Sequence, residues 1–432
     1  MKLAGTFSKL KPFNVLVVGD FMLDKYTTGT VSRISPEAPV SVLKVINEEY
    51  LPGGAGNVVL NLASLGANVY PLGRIGDDTT GKILKDKLNQ ENINIENIFI
   101  QDNYKTPLKN RLLASGQQLL RVDVEVSEPL PNSLLDSIFS SLESTLDKID
   151  VIAISDYNKG LLTLEFLNRL INIAKEKQIS IIVDPKGDDY SKYKGVDIIK
   201  PNLKEAYEAA KAPSNAPLKD VAQSLVEATN VEHLLITMSE NGIALFDRSL
   251  KQKNFPVQVR EVKDVTGAGD TVLSILCATI ANKIAIDHGI QFANIAACIA
   301  IEKLGCAKVS LSELAKRLLE QDMENKIFDT AHLSVLKGIL DNSDFAVLTI
   351  DILKTITSSL FKKIRDLSKK YKKLIVYIQD DNPNDDAIDL LSSLHEVDYI
   401  ILKTNSIKDD IKQMINTKNH YTWNSQASQL TY

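Results

Sequence analysis

The chain has 432 residues, of which 44% are hydrophobic and 24% are charged. This length predicts two or three domains, and the composition is that of a globular protein with a sizeable core. The formal net charge is -5, so a nucleic-acid partner is not expected.

Targeting and redox features indicate a cytoplasmic protein. The start of the chain, MKLAGTFSKLKPF, lacks the apolar run of a secretory signal, and no apolar stretch is long enough to span a membrane. Cys277, Cys298 and Cys306 lie in apolar segments without paired spacing. We therefore expect reduced thiols, no metal site built from cysteine, and no membrane partner.

Strands and helices alternate along the first three quarters of the chain. NVLVVGDFMLD opens with a buried strand, VSVLKVINEEYL alternates like a strand of a separate, half-exposed sheet, and GGAGNVVLNLASLGA is a glycine-rich turn entering a helix. Further strand-helix units follow, which predicts an α/β fold with a mostly parallel sheet covered by helices on both faces. In such sheets, ligands bind beyond the carboxyl ends of the strands. The polar residues expected at those ends are Asp20, Asp156, Asp184, Asn202 and Thr237.

The pattern changes near residue 320, where KRLLEQDMENKIFD reads as a helix end and a linker. A second, smaller α/β unit follows, with a helix at about 331–341, the strands FAVLTI, KLIVYIQD and VDYIIL, and a helix at 384–394. The sequence therefore predicts two domains, 1–322 and 326–432.

The segment EVKDVTGAGDTVLSILCATI carries the strongest chemical signal. Gly267, Ala268 and Gly269 precede a helix, and Asp270 lies in its first turn. Backbone N–H groups in such a loop form an anion site, and a carboxylate beside it can accept the proton of an attacking hydroxyl. We therefore assign Asp270 as general base and Gly267 to Gly269 as the anion hole of a phosphoryl transfer.

Two further segments suit a sugar and a nucleotide. In PGGAGNVVLNLASLG, glycines allow close backbone approach and Asn57 offers an amide, while Asp24 in GDFMLD offers a carboxylate. In PNLKEA, Asn202 and Glu205 face the same way at a helix start, although an ordinary helix cap would use the same residues. Together with DVTGAGD, these motifs make the chain resemble the ribokinase-like carbohydrate kinase family.

This resemblance implies ATP and Mg2+ as requirements, and a small β lid that includes VSVLKVINEEYL. Lids of this family often pair between subunits, so we expect a homodimer. The residues implied to hold the sugar are Asp24, Gly53, Gly54 and Asn57. Those implied to bind the nucleotide are Asn202, Glu205, Thr237, Ser239, Gly242 and Asn294. Glu205 would hold magnesium through water, and Asp264 and Thr266 match positions that bind a monovalent cation such as K+ in some members.

Other segments bring the resemblance closer to one branch of the family. GDFMLDKYTTGTVSRISPEAPV, GQQLLRVDVE, SDYNKG and DPKGDDYSKY are similar to the kinase half of the bifunctional heptose 7-phosphate kinase/heptose 1-phosphate adenylyltransferase family. The resemblance covers roughly residues 10–315 and implies phosphorylation of D-glycero-D-manno-heptose 7-phosphate at O1, on the route to ADP-heptose and lipopolysaccharide core. A substrate that already carries phosphate needs cations. The candidates are Arg33, Arg111, Arg121 and Lys186.

The second half departs from that family. Its nucleotidyltransferase motif has two phosphate-binding histidines, which fall here at Lys354 and Thr357, and a glycine, which falls at Ile356. We therefore expect a degenerate nucleotidyltransferase-like domain without adenylyltransferase activity. An alternative alignment on IFDTAHLSVL offers one histidine, His332. Dimerisation, stability and docking of a separate adenylyltransferase all remain open as roles for this domain.

Two other functions stay open at this point: a kinase for another sugar or sugar phosphate, and a non-catalytic scaffold. A second glycine motif, GDDTTGKI, is one residue short of a P-loop, because Ile83 stands where a Ser or Thr should hold magnesium. We interpret it as a turn into a helix, so Lys82 is not expected to bind ATP.

Overall fold

A computed structural model of the chain describes residues 6–7, 9–257, 262–303, 305–322, 327–328, 340, 344–351, 356–380, 384–403, 419–424 and 429–431. The chain divides into two compact units, one of which is Lys11–Ser310, while the other comprises Met1–Leu10 and Leu311–Tyr432. The sequence places the domain boundary later, at 322–326, because it assigns the helix Leu311–Asp322 to the first domain.

The described residues of the first unit form thirteen strands in two sheets. In chain order they are β1 (Asn14–Gly19), β2 (Phe21–Ile34), β3 (Ser41–Gly54), β4 (Asn68–Gly76), β5 (Ile98–Gln101), β6 (Leu108–Ala114), β7 (Gln117–Val124), β8 (Val151–Ser155), β9 (Ser180–Asp184), β10 (Ile198–Ile199), β11 (His233–Thr237), β12 (Ile243–Asp247) and β13 (Gln252–Phe255). Nine of them form the main sheet in the order β13-β12-β11-β10-β9-β8-β1-β4-β5. Neighbours are parallel except for the pairs β11–β12 and β12–β13, which are antiparallel, so the predicted mostly parallel sheet is confirmed.

Helices connect and cover these strands. They are α1 (Ala55–Ser64), α2 (Thr79–Gln90), α3 (Asn132–Leu146), α4 (Leu164–Glu176), α5 (Leu203–Ala209), α6 (Leu218–Thr229), α7 (Ala268–Ala281) and α8 (Ile286–Ile301). Central strands are buried apolar runs: β1 reads NVLVVG and is buried after its first residue. Each Val or Leu side chain that is fully buried in this way stabilises the fold by about 1.5–3 kcal/mol.

A separate four-stranded sheet, in the order β3-β2-β6-β7, forms the lid. Only Asp20 separates the end of β1 from the start of β2 at Phe21. β2 pairs antiparallel with β3 along most of its length. β6 pairs parallel with β2 and antiparallel with β7. Residues two apart on a strand share a face, so register decides which lid side chains face the same way as Asp24.

The second unit has its own α/β core. Its helices are α9 (Leu311–Asp322), α10 (Ser358–Lys370) and α11 (Asp385–Ser393), and its strands are β14 (Ile327–Phe328), β15 (Phe345–Ile350), β16 (Lys373–Ile378), β17 (Tyr399–Leu402), β18 (His420–Asn424) and β19 (Gln429–Thr431). The sheet order is β14-β17-β16-β15-β18-β19, parallel except for the last pair. The helix predicted at about 331–341 lies almost wholly outside the described residues.

In the part of the chain that the structure describes, no helix is both long enough and apolar enough to cross a lipid bilayer.

Candidate active site

The glycine-rich loop before α7 has the backbone that an anion site needs. Gly267 is the N-cap of α7, with φ of 80° and ψ of 0° in the left-handed region, which favours glycine. A Cβ at this position would lie 2.6 Å from Nδ2 of Asn57. Glycine is therefore required here both by conformation and by the close approach of α1.

Asp270, in the first turn of α7, is 4% exposed and accepts two hydrogen bonds. Nδ2 of Asn57 donates to Oδ2 at 2.7 Å, and the hydroxyl of Tyr157 donates to Oδ1 at 3.0 Å. Burial, together with the Asp184 carboxylate, raises the pKa of Asp270 to about 7, while the two donors and the charge of Lys200 act the other way. A carboxyl with a pKa near 7 is suited to accept a proton at neutral pH.

A buried ion pair lies beside this loop. Nζ of Lys200 is 3.0 Å from Oδ1 of Asp184, and the lysine side chain is 3% exposed. Burial raises the pKa of Asp184, and the ammonium of Lys200 lowers it. A Cβ on Gly269 would lie 3.5 Å from both Oδ2 of Asp184 and Nζ of Lys200. The anion loop therefore has a fixed cation nearby, which can stabilise charge on a transferring phosphoryl group.

A cavity of about 1220 Å³ extends from this loop across the ends of the neighbouring strands. It is large enough for a nucleotide. Its walls are formed by residues of β9, β10, β11, α7 and α8 or of the loops that follow these strands. All six predicted nucleotide-binding residues line it: Asn202, Glu205, Thr237, Ser239, Gly242 and Asn294.

Local hydrogen bonds explain how several of these side chains are held. The Asn202 side chain accepts from the Glu205 N–H at 2.9 Å, and the Glu205 carboxylate accepts from the Asn202 N–H at 3.0 Å. These two bonds form a capping box at the start of α5. Asn202 and Glu205 therefore both cap this helix and line the cavity. Asn294 Nδ2 donates to the carbonyl of Phe255 at 2.9 Å.

Lys186, a predicted substrate-binding cation, lies among the predicted nucleotide-binding residues. It lines the same cavity, and its Nζ lies 2.6 Å from Oε1 of Glu205. The reason is strand order: β9 and β10 are neighbours, so the segment after Asp184 meets the segment that begins at Asn202.

Residues predicted to bind sugar meet around Asp24, which is 3% exposed. Its carboxylate pairs with Arg111 and accepts a hydrogen bond from Sγ of Cys306 at 3.3 Å. A Cβ on Gly53 would lie 2.0 Å from Oδ2 of Asp24, so only glycine leaves room for this carboxylate. Gly54 has φ of 56° and is the N-cap of α1, the helix that carries Asn57.

Three cations share one face of the lid with Asp24. Lys109 pairs in register with Asp24 on β6, Arg111 follows two residues later, and Arg121 lies directly opposite Arg111 on β7. Like charges directly opposite each other destabilise a sheet unless an anion compensates. Arg121 has Asp123 at 2.9 Å and remains exposed. Burial lowers the pKa of Lys109, against the effect of Asp24.

Arg33 does not belong to this group. It is exposed near the turn between β2 and β3. It lies nine residues along the same strand from Asp24 (33 − 24), which is about 30 Å at the usual strand rise. Arg33 therefore lies away from Asp24 of the same chain, and its role in substrate binding stays a prediction.

The residues predicted to hold a monovalent cation form a tight turn. Asp264 accepts from the N–H of Thr266 at 2.9 Å, from its hydroxyl at 2.6 Å, and from the N–H of Gly305 at 3.0 Å. Burial raises the pKa of Asp264, but these hydrogen bonds outweigh burial and the net shift is downward.

GDDTTGKI is the turn into α2. Asp78 caps this helix by accepting from the N–H of Gly81 at 2.7 Å, and it also accepts from the N–H of Thr106 at 2.8 Å. The Lys82 side chain is 72% exposed and pairs with Asp77 at 3.1 Å. Neither Asp78 nor Lys82 lines the nucleotide cavity.

Sequence reasoning missed the roles of Tyr157, Lys109 and Lys200. Lys200 directly follows β10 and Tyr157 lies two residues after β8, so the strand-end argument could have found both. Lys109 could have been found only from lid register, which the sequence does not reveal.

In the second unit, the structure describes two residues of the segment aligned with the nucleotidyltransferase motif. The hydroxyl of Thr357 caps α10 by accepting from the N–H of Leu360 at 3.2 Å, and Ile356 packs against the core. Lys354, Asp329 and His332 lie outside the described residues. Across the described parts of the chain, no group of three or more His, Cys, Asp or Glu is placed to hold a metal ion.

Known proteins share this fold and much of this sequence. The model of the pfkB family carbohydrate kinases matches residues 13–314. The bifunctional protein HldE of Aliarcobacter butzleri is 38% identical over 414 residues, which are 90% of this chain and 85% of that protein. Ribokinase of Arabidopsis thaliana, solved with ribose and ATP, is 18% identical with a TM-score of 0.55, over 71% of this chain and 99% of that chain. Phosphofructokinase-2 of Escherichia coli, solved with potassium, is 22% identical with a TM-score of 0.58, over 72% and 99%.

The two solved structures, at these identities, establish the fold alone, whereas the family model and the HldE relative cover most of the sequence. The chain therefore belongs to the pfkB family of carbohydrate kinases.

Proposed function

We propose that the chain transfers the γ-phosphoryl group of ATP to O1 of D-glycero-D-manno-heptose 7-phosphate, giving the 1,7-bisphosphate on the route to ADP-heptose. The observation that carries the proposal is the position of Asp270. Its carboxylate contacts Asn57 of the sugar-binding motif, and Gly269 beside it lines the nucleotide cavity. The base therefore lies between the two substrates.

Residues of this chain account for each step of the transfer. Asn57 and Asp24 bind sugar hydroxyls, and Asp270 accepts the proton of the attacking O1 hydroxyl. The N–H groups of Gly267 to Gly269, with Lys200, stabilise charge on the transferring phosphoryl group. The buried environment of Asp270 supports this role, because its pKa of about 7 leaves a large deprotonated fraction at neutral pH.

The 7-phosphate would be bound by the lid. Lys109, Arg111 and Arg121 share the face that carries Asp24, and a phosphate dianion there would accept hydrogen bonds from these cations. SRISPEAP, the segment that distinguishes heptose kinases in the resemblance, includes the turn of the same lid. The cations favour a phosphorylated acceptor over a neutral sugar, and the segment supports a heptose by resemblance.

Magnesium fits the cavity as a partner of the nucleotide. The carboxylate of Glu205 lies in the wall together with other acidic side chains, and Mg2+ commonly binds through one or two carboxylates, waters and substrate phosphates. Lys186 pairs with Glu205 in this structure and would shift to the ATP phosphates when they bind. The turn of Asp264 and Thr266 remains our candidate for K+.

The second unit would not transfer an adenylyl group. Lys354 and Thr357 occupy the motif positions of the two histidines in the bifunctional family, and neither side chain can replace an imidazole. Docking of a separate adenylyltransferase, stability and dimerisation remain candidate roles for this unit. We also expect a homodimer through the lid, whose strands expose Ile46, Leu120 and Val122.

A panel of acceptors tests the kinase proposal. Heptose 7-phosphate, fructose 6-phosphate, ribose and unphosphorylated heptose are compared by kcat/KM with ATP and Mg2+. We expect heptose 7-phosphate to exceed every other acceptor, and a better rate on another sugar would favour the alternative kinase. Pyrophosphate release from heptose 1-phosphate and ATP tests the second unit, and release above background would contradict the loss of adenylyl transfer.

A further inference from the structure

The loop after β8, residues 156–159, is anchored by hydrogen bonds on both sides of Tyr157, the residue that contacts Asp270. Oδ2 of Asp20, a residue 3% exposed, accepts from the N–H groups of Tyr157 and Lys159, both at 3.0 Å. The N–H of Asp156 donates to the carbonyl of Asp184 at 3.0 Å. The guanidinium of Arg74 donates to the carbonyl of Lys159 at 2.7 Å. The backbone on both sides of Tyr157 is therefore fixed.

The ring of Tyr157 has defined neighbours as well. Its hydroxyl meets Oδ1 of Asp270 at 3.0 Å, and Nζ of Lys109 lies 5.4 Å from the ring centroid. The residue also lines the nucleotide cavity. Tyr157 therefore contacts Asp270, lies near Lys109 of the lid and lines the proposed nucleotide cavity.

We infer that Tyr157 is a positioning residue for phosphoryl transfer: its hydroxyl and the Asn57 amide each hold one oxygen of Asp270, so that the free lone pairs face the acceptor hydroxyl. A carboxylate has about four acceptor positions, so two donors still leave room for the substrate. The loop anchored by Asp20 keeps the tyrosine in place when ligands enter. This inference rests on the assignment of Asp270 as base in the proposed function.

The hydrogen bond from Tyr157 also lowers the pKa of Asp270. The other charged or titratable groups that act on Asp270 are Asp184, Lys200 and Cys306. Tyr157→Phe keeps all three residues and removes only the hydroxyl donor. A hydrogen bond to a charged group contributes enough to move a pKa by about one unit.

The experiment compares Tyr157→Phe with wild type over pH 5 to 9. We expect kcat at high pH to fall about tenfold, and the acid limb of the kcat profile to move up by about one pH unit. A purely structural role would lower kcat without moving the limb, so an unmoved limb overturns the inference. Tyr190→Phe is the matched control, because Tyr190 is buried and its hydroxyl has no hydrogen-bond partner among the described residues.

A second variant decides the matter if Tyr157→Phe does not fold. Replacement of Tyr157 by 3-fluorotyrosine keeps the ring and makes its hydroxyl a stronger donor, so the acid limb should move to lower pH. A limb that stays or moves upward contradicts the inference.

A measurement without an acceptor separates this inference from the proposed substrate. The Asp270 carboxyl carbon is followed by 13C NMR in the free enzyme and is assigned by its loss in Asp270→Asn. Its midpoint should rise in Tyr157→Phe even if heptose 7-phosphate proves to be the wrong acceptor, and an unchanged midpoint overturns the inference.

Discussion

Nδ2 of Asn57 donates a hydrogen bond of 2.7 Å to Oδ2 of Asp270, although 213 residues separate the two in the chain. One residue belongs to the helix that follows the lid, and the other to the helix that follows the anion loop. Both are buried. This contact joins the start of α1 to the glycine-rich loop before α7, the two segments to which we assign sugar and phosphate binding.

Replacing Asp270 by Asn should lower kcat by at least about 100-fold, because the acceptor hydroxyl loses its base. The matched control is Asp220→Asn, since Asp220 occupies the same position in the first turn of α6 but is exposed. Kinetics with heptose 7-phosphate and thermal unfolding of both variants check this. A folded Asp270→Asn enzyme with near-normal kcat would remove the base assignment.

The wild-type enzyme should lose kcat as the pH falls through about 7, because a protonated Asp270 cannot accept the hydroxyl proton. The rate should be pH-independent well above that value. A pH profile of kcat at saturating substrates checks this. An acid limb near pH 4, the ordinary range of an aspartate, would contradict the buried environment derived for this residue.

Gly267→Ala should lower kcat sharply, because its Cβ would lie 2.6 Å from Nδ2 of Asn57 and displace the amide from Asp270. Gly66→Ala separates this effect from backbone strain. Gly66 has φ of 81°, close to the 80° of Gly267, but its Cβ would meet nothing within 4 Å. Both variants should lose about 1–2 kcal/mol of stability, and only Gly267→Ala should lose activity. Equal kcat values for the two variants would refute the steric argument.

Lys109→Met should raise KM for heptose 7-phosphate about tenfold or more and leave KM for ATP nearly unchanged, because the lysine would contact only the acceptor phosphate. Lys25→Met is the control. Lys25 follows Asp24 on β2, faces the opposite side of the lid and pairs with Glu48 at 2.8 Å. If Lys25→Met and Lys109→Met change the acceptor KM equally, the lid face is not the phosphate site.

Asp20 should make stability depend on pH. Burial, with a contribution from Asp156, raises the pKa of Asp20 from 3.8 to about 6. Between these values the folded state binds the proton more tightly than the unfolded state, so wild type loses stability as pH rises through this window. The total is about 3 kcal/mol.

Asp20→Asn has no such titration, so its stability relative to wild type should improve between pH 4.5 and 7.5. Urea unfolding at several pH values measures this, with Asp102→Asn in an exposed turn as control. Parallel curves for wild type and Asp20→Asn would contradict the prediction.

Sequence pattern predicts the sheet and the anion loop well, since strand runs such as NVLVVG and the glycines before Asp270 are local signals. Placement of Lys186 depends on strand order, because β9 and β10 become neighbours only in the folded sheet. The lid cations depend on register: Arg111 faces Arg121 in a hairpin with an irregularity at Leu112 and Leu113. Such long-range pairings leave no local signal, so the sequence does not reveal that Lys109 lies in register with Asp24 or that Lys186 lies beside Glu205.

The most direct test of the central claim is a 31P NMR time course of the purified chain with ATP, Mg2+ and heptose 7-phosphate. We predict a new signal from a phosphate on C1, formed in equal amount with ADP, and no such signal with Asp270→Asn. ADP formation without a C1 phosphate, or no reaction in wild type, would contradict the proposed function.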